Sequence, residues 1–168
     1  MPRMTRTEVE AFLAEPFHLC RIATVGSDMA PLVVPAWFLH RDQRLYVTPR
    51  ARSRFYALMQ ENPKVCFSVD EGSLPYRKVT ARGSVEILHE PGEDSDWVDV
   101  YRAIAYRYWE RDAADRYLES TKHLARALVA LPFEYEREGV TTWRLPRSDE
   151  DPAGIWARRY WEPTVPTR

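Results

Sequence analysis

A chain of 168 residues is long enough to bury a sizeable hydrophobic core in one domain. With 45% hydrophobic and 29% charged residues it reads as an ordinary soluble globular protein, and a net charge of -1 argues against a general nucleic-acid binder, which is basic overall. Two cysteines without paired spacing argue against a disulfide scaffold or a cysteine-based metal site.

The opening "TRTEVEAFLAEP" places Glu10 three residues after Thr7, a capping-box spacing, and puts Val9, Phe12 and Leu13 on one helical face before Pro16. A helix within residues 1–16 is expected. No apolar run here resembles a signal peptide, and none along the chain reaches the roughly 18 residues that cross a bilayer, so a cytoplasmic protein with no membrane partner is expected. Three strands follow, over His18–Val25, Ala30–His40 and Arg44–Thr48, separated by turn-like residues at 26–28 and 41–43. Pro31 and Pro35 cannot donate ladder hydrogen bonds, which places the second strand at an edge or a kink. Cys20 and Cys66 sit in apolar runs and read as buried thiols.

A helix over Ser53–Gln60 shows Phe55, Leu58 and Met59 on one face and stops at Asn62-Pro63. "KVCFSVD" (64–70) alternates as a strand, and "YRKVTARGSVEILHE" (76–90) is a longer one with a bulge expected at Gly83. After the acidic "EDSD", Val98, Tyr101, Ala105 and Tyr108 define one helical face. A second helix spans Ala113–Ala127 with Tyr117, Leu118 and Leu124, and one or two strands close the domain around Gly139. The sum is a mainly β or α+β protein: a six-stranded antiparallel split β-barrel over residues 18–145 with peripheral helices, forming a single domain. The tail, 152–168, carries Trp156, Tyr160 and Trp161, more aromatic surface than a disordered tail has, and is expected to dock on the barrel or on a partner subunit.

Arg50, Arg52 and Arg54 stand at alternate positions just before the second helix. Three readings are open: a solvated basic loop, a nucleic-acid patch, or a cradle for a small phosphate. The start of a helix presents outward-pointing amides with partial positive charge. Ser53 is positioned to cap it, and the forked donors of Arg52 and Arg54 match phosphate oxygens. Thr48 supplies a further hydroxyl. On the later strand Tyr76, Lys78 and Thr80 share a face that could meet a flat electron-poor ring or lie in solvent.

The order of these motifs, from Arg21 to Leu88, resembles the flavin-binding split barrels related to pyridoxamine 5'-phosphate oxidase. The likeness rests on the strand–"T…RSR"–helix–"NP" succession and on "RKVTARG", similar to the family's Arg-Gln-Val-Arg-x-x-Gly. It implies a homodimer with the flavin, FMN, in a groove between subunits. Thr48, Arg52, Ser53 and Arg54 fall where the family grips the cofactor phosphate; Val33, Val34 and Pro35 fall on the strand beside the ring. Tyr76 is a candidate wall of the same site. Lys78 stands in place of a family glutamine and, if turned inward, would stabilise the reduced anionic ring. Two departures matter: Trp156 is followed by Arg158, Arg159 and Tyr160 rather than the oxidase's Arg-Leu pair, so its substrate does not carry over, and "PYRKVTARG" is similar to members that use the deazaflavin coenzyme F-420.

The leading expectation is a flavin-dependent oxidoreductase acting on a small organic substrate, with the cofactor carrying the chemistry and no catalytic side chain identified. Trp37, Tyr76, Trp109, Trp156 and Tyr160 are candidate pocket walls. A flavin-binding protein without turnover is a second reading. Haem binding is a third, and it needs an axial ligand from His18, His40, His89 or His123, none in a motif-like setting. No nucleophile elbow, Walker loop, zinc-protease motif or calcium loop is present in the sequence.

Overall fold

A computed structural model describes residues 2–151 and 153; the expected docking of the 152–168 tail, Trp156 and Tyr160 included, lies outside the described residues but for that one position. The chain forms α1 (Arg6–Ala14), β1 (Cys20–Val25), β2 (Pro31–Ala36), β3 (Leu39–Arg41), β4 (Arg44–Val47), α2 (Arg54–Glu61), β5 (Lys64–Asp70), β6 (Lys78–Ser84), β7 (Glu86–His89), α3 (Val98–Ala105), α4 (Arg111–Thr121), β8 (Leu128–Pro132) and β9 (Val140–Trp143). Two antiparallel sheets result, one in the order β2-β1-β5-β6-β9 and one in the order β3-β4-β8-β7. This is the expected α+β split-barrel class, with the six expected strands resolved into nine among the described residues.

The extra strands come from corners. The expected second strand breaks at Trp37-Phe38, where Phe38 turns fully inward and its backbone amide donates to Tyr108 Oη at 3.2 Å. The expected 76–90 strand breaks at Val85, not Gly83: Val85 is buried, and its amide donates to Pro63 O at 2.9 Å, so β6 and β7 join different sheets. Pro31 and Pro35 lie on an edge strand, as their missing donors require.

The amino-terminal helix is capped one position pair earlier than its spacing suggests. Thr5, not Thr7, is the cap: Glu8 N donates to Thr5 Oγ1 at 3.2 Å, and Thr5 N to Glu8 Oε2 at 2.7 Å. Met4 and Val9 flank that cap and are both buried in the core, a hydrophobic staple that fixes the start. Val9, Phe12 and Leu13 are buried as expected. On α2 the buried residues are Tyr56, Leu58 and Met59, with Phe55 half-buried. On α3 Val98 is exposed, while Tyr101 and Ala105 are buried; Tyr108, expected on the same helix, is buried past its end at Ala105. Cys20 is fully buried, whereas Cys66 is only half-buried on the outer side of β5; both are free thiols.

One apolar cluster fills the space between the sheets, built from Phe12, Ile22, Leu45, Val47, Phe67, Val79 and Val129 among others. A second, aromatic cluster of Tyr46, Trp97, Tyr101, Ile104 and Leu118 joins α3 and α4 to β4 and β8. No helix among the described residues is long and apolar enough to cross a membrane.

Candidate functional site

A cavity of about 280 Å³ opens between the two clusters. Its walls come from five places: Ala36 and Trp37 at the β2 corner, Thr48, Pro49, Arg50 and Ser53 after β4, Phe55 of α2, Tyr101 and Tyr117 from α3 and α4, and Arg126 before β8. Of the residues expected to hold a phosphate, Thr48 and Ser53 line it. Arg52 and Arg54 stay exposed on the same segment and do not line the cavity.

Ser53 does stand at the cap position of α2, yet its hydroxyl donates to Arg50 O at 2.7 Å and makes no cap bond. The expectation that it caps the helix is therefore corrected. The tight turn before the helix, in which Ser53 N also donates to Arg50 O at 2.9 Å, claims the side chain. The first-turn amides of α2 are left without a side-chain partner from their cap residue, as an anion-receptive helix start requires.

Arg126 is the residue that sequence reading missed. The helix expected to run to Ala127 ends at Thr121, because residues 125–127 pair with the arginine segment instead. Ala51 N donates to Ala125 O at 2.9 Å, Ala127 N to Pro49 O at 3.0 Å, and Arg50 and Arg126 form an isolated antiparallel bridge. Asp94 accepts the Arg126 amide at 2.9 Å. The Arg126 side chain is only 8% exposed; Nη1 donates to Thr48 O at 3.0 Å, Nη2 to Tyr117 Oη at 3.2 Å, and the guanidinium carbon lies 4.8 Å from the Tyr101 ring centroid. Its Nε is buried with no hydrogen-bond partner. Among the described residues no carboxylate pairs with Arg50, Arg52, Arg54 or Arg126. The signal available in the sequence was "ARALVALP", whose apolar run opens a strand as readily as it closes a helix.

Burial alone would raise the Tyr117 phenol. The Tyr101 phenol and the Arg126 and Arg50 guanidinium groups outweigh it and hold the group below the ordinary tyrosine value. Aromatic rings extend the wall. Trp37 stacks on Tyr108 with centroids 4.9 Å apart and planes 7° from parallel, and Trp109 and Tyr117 meet Trp37 edge-on or tilted at 5.3 and 5.7 Å. Trp37 and Trp109, two expected pocket walls, are thus brought together.

The remaining expected residues lie elsewhere. Val34 packs inward from β2, while Val33 and Pro35 face outward and are exposed. Lys78, paired with Asp70 and Trp143 across the outer side of β6, holds its Nζ 5.2 Å from the Trp143 ring. Tyr76 precedes it in a left-handed conformation, φ 55°, half-buried. Since β1 and β5 separate β6 from β2, Lys78 is more than ~14 Å from Val33 in the same chain. Of the histidines, His18 bonds Glu15 at 3.0 Å, His89 pairs with Glu93, His40 packs on Phe133 and His123 is exposed; none lines the cavity. The acidic group Glu15, His18 and Glu71 could in spacing hold a cation, but Arg77 already forks into both carboxylates at 2.6–2.9 Å.

The sequence matches the family described as pyridoxamine 5'-phosphate oxidase over residues 5–135. No curated protein matches it significantly. Among solved structures, an F420 reductase shares 27% identity with a TM-score of 0.56, covering 74% of this chain and 93% of that one. A FAD-binding protein from Mesorhizobium loti (17%, TM-score 0.60, 87% and 97% covered) and the haem storage protein HutZ from Vibrio cholerae (17%, TM-score 0.63, 83% and 96% covered) share the fold.

Proposed function

The chain belongs to the pyridoxamine 5'-phosphate oxidase family, and we propose that it is a flavin-dependent oxidoreductase working on a small organic substrate in the cytoplasm. The observation that carries this reading is the basic segment at the uncapped start of α2: Thr48 and Ser53 line the cavity there, and the exposed Arg52 and Arg54 flank Ser53 with no salt bridge to a carboxylate among the described residues. Phosphate oxygens match those donors in charge and geometry. When bound, the tricyclic cofactor would supply hydride or electron transfer, and the chain supplies position and field.

The other half of the reading is a homodimer. Within one chain Lys78 is too far from β2 to share a ring with Val33, Val34 and Pro35, and a second copy laid against the outer sheet face would bring its own Tyr76 and Lys78 there. The exposed apolar side chain of Val33 and the outward Pro35 suit that contact.

FMN is the cofactor of the first reading. Coenzyme F-420 is the second, supported by the 27% identity to an F420 reductase. An absorption spectrum of purified protein with mass identification of the released ligand tests both: blue-absorbing FMN supports the first, and a colourless protein that binds added deazaflavin supports the second. If neither cofactor binds, the proposed function is wrong. Turnover of reduced cofactor by candidate substrates separates an enzyme from a carrier.

A further inference from the structure

We infer that the aromatic segment after the described chain, residues 154–161, folds back along α1 of its own barrel and fills the groove between that helix and the 74–77 loop. The occupant is thus a segment of this same chain, carrying Ile155, Trp156, Tyr160 and Trp161. The inference stands apart from the cofactor reading, and it takes Trp156 out of the candidate walls of the cofactor site.

The groove holds about 510 Å³ and is lined by Arg144, Leu145 and Arg147, close to the end of the described chain. Glu8 and Ala11, neighbours on one face of α1, form one side, and Pro75 and Arg77 form the other. Met4 and Leu145 give it an apolar floor, both being buried. The sides are tied together at both ends. Arg144 Nε and Arg147 Nη2 donate to Glu8 Oε1 at 3.2 and 2.7 Å, and Arg77 forks onto Glu15 at 2.7 and 2.8 Å. Leu145 N donates to Pro75 O at 3.0 Å and closes the base. The groove is therefore preformed.

Three observations name the occupant. First, the point of departure is fixed. Glu150 accepts Arg144 Nη1 and Nη2 at 2.6 and 2.8 Å and the Arg147 amide at 2.8 Å, which clamps the chain beside the first turn of α1. Second, the reach is right. Trp156 follows residue 153 by ~10 Å of extended chain, about the length of the two helical turns between Glu8 and Glu15. Third, the chemistry matches. Each cation of the groove already meets a carboxylate: Arg77 meets Glu15 and Glu71, Arg144 meets Glu8 and Glu150, and Arg147 meets Glu8. What remains on offer is flat surface, namely guanidinium planes and the Pro75 ring over an apolar floor, with Leu74 next in the chain and 37% exposed. Indole and phenol rings stack on such surfaces. A segment with three large aromatic rings has apolar area to cover, and this groove lies at its root.

The test is trypsin cleavage after Arg158 and Arg159 in the folded full-length protein, followed by mass spectrometry at several protein concentrations, with FMN binding read in parallel. Ala11 is an exposed helix position, and Ala11→Gln puts a larger side chain in the groove. It should speed these cuts at least ~10-fold, because cleavage follows the population of the undocked segment. Trp156→Ala, which leaves every described residue unchanged, should do the same. The double variant should be cut no faster than the quicker single one, as expected for two changes within one contact. FMN binding in Ala11→Gln stays as in wild type. Cuts in wild type as fast as in both variants would overturn the docking. So would protection that fades on dilution, which gives the groove to a second copy, or loss of FMN in Ala11→Gln, which puts the segment at the cofactor site. A wild type that binds neither FMN nor deazaflavin refutes the cofactor reading and leaves the cleavage rates to decide this one.

Discussion

Arg50 and Arg126 are partners in an isolated antiparallel bridge, and neither forms a salt bridge with a carboxylate among the described residues. Arg50 is exposed, so water screens much of the repulsion. Replacing Arg50 with alanine should therefore leave the ligand-free protein as stable or more stable, by a few tenths of a kcal/mol. A thermal melt in low-salt, phosphate-free buffer reads this directly. A clear drop in Tm would mean that the arginine contributes to the fold and not to a ligand.

Arg77 ties α1 to the β5–β6 connection by reaching Glu15 with Nη1 and Nη2 at 2.7 and 2.8 Å and Glu71 with Nε and Nη2 at 2.9 and 2.6 Å. Hydrogen bonds from Arg77 lower the Glu15 carboxyl. Burial would raise Glu71, but the Arg77 bonds outweigh it and lower that group too. Both folded values lie below the ordinary 4.5, so their stabilisation is fully present above that pH and is lost as pH falls through the depressed values. Arg77→Met should destabilise by about 2–3 kcal/mol at pH 7, chiefly by stranding Glu71, whose side chain is 7% exposed. Urea midpoints at pH 7 and pH 3 check it: the gap between variant and wild type should narrow at the lower pH, and a constant gap would sink the argument.

Gly139 shows how little room the β6–β9 join has. Its φ is +91°, and a Cβ there would meet Arg82 O at 2.6 Å, the backbone of the residue whose amide donates to Gly139 O at 3.0 Å. Alanine adds both strain and a clash with unyielding backbone, so Gly139→Ala should cost about 2 kcal/mol or more. Gly72, with nothing within 4 Å of such a Cβ and no positive φ, is the control and should be near neutral. Chemical denaturation of the two variants decides it.

The strands were legible wherever one face alternates. "KVCFSVD" is β5 from Lys64 to Asp70 because period-2 burial leaves only one register with Val65, Phe67 and Val69 inside. Corners were not legible. Phe38 and Val85 are apolar residues within apolar runs, and only the hydrogen bonds of their backbones to Tyr108 and Pro63 reveal that the chain changes sheet there. The same limit hid half of the site. Thr48 and Ser53 are local to one motif and were found; Arg126 lies 78 positions after Thr48, and its place beside it is set by a long-range bridge that no local period encodes. Ser53 was legible as a cap position but not in its hydrogen bond, since the turn oxygen of Arg50 competes for the same hydroxyl.

The dimer can be tested through Val33. Its side chain is 59% exposed on the edge strand β2, on the side away from the core, next to the outward Pro35. A lone exposed valine is ordinary, but here the proposed cofactor needs Lys78 near that strand, and the same chain's Lys78 is three strands away. If a second copy covers this face, Val33→Asp places an unpaired carboxylate in the contact and should shift the protein from dimer to monomer at micromolar concentration, with loss of FMN in step. The folded monomer itself should keep its stability, because the Val33 side chain is largely exposed and is not one of the buried core residues. Light scattering after size exclusion gives the mass, and circular dichroism checks the fold. A Val33→Asp dimer that still holds cofactor would place the ring elsewhere, and Lys78→Gln then becomes the sharper probe: a lysine beside the ring favours the reduced anion, so its loss must lower the reduction potential if the two are in contact.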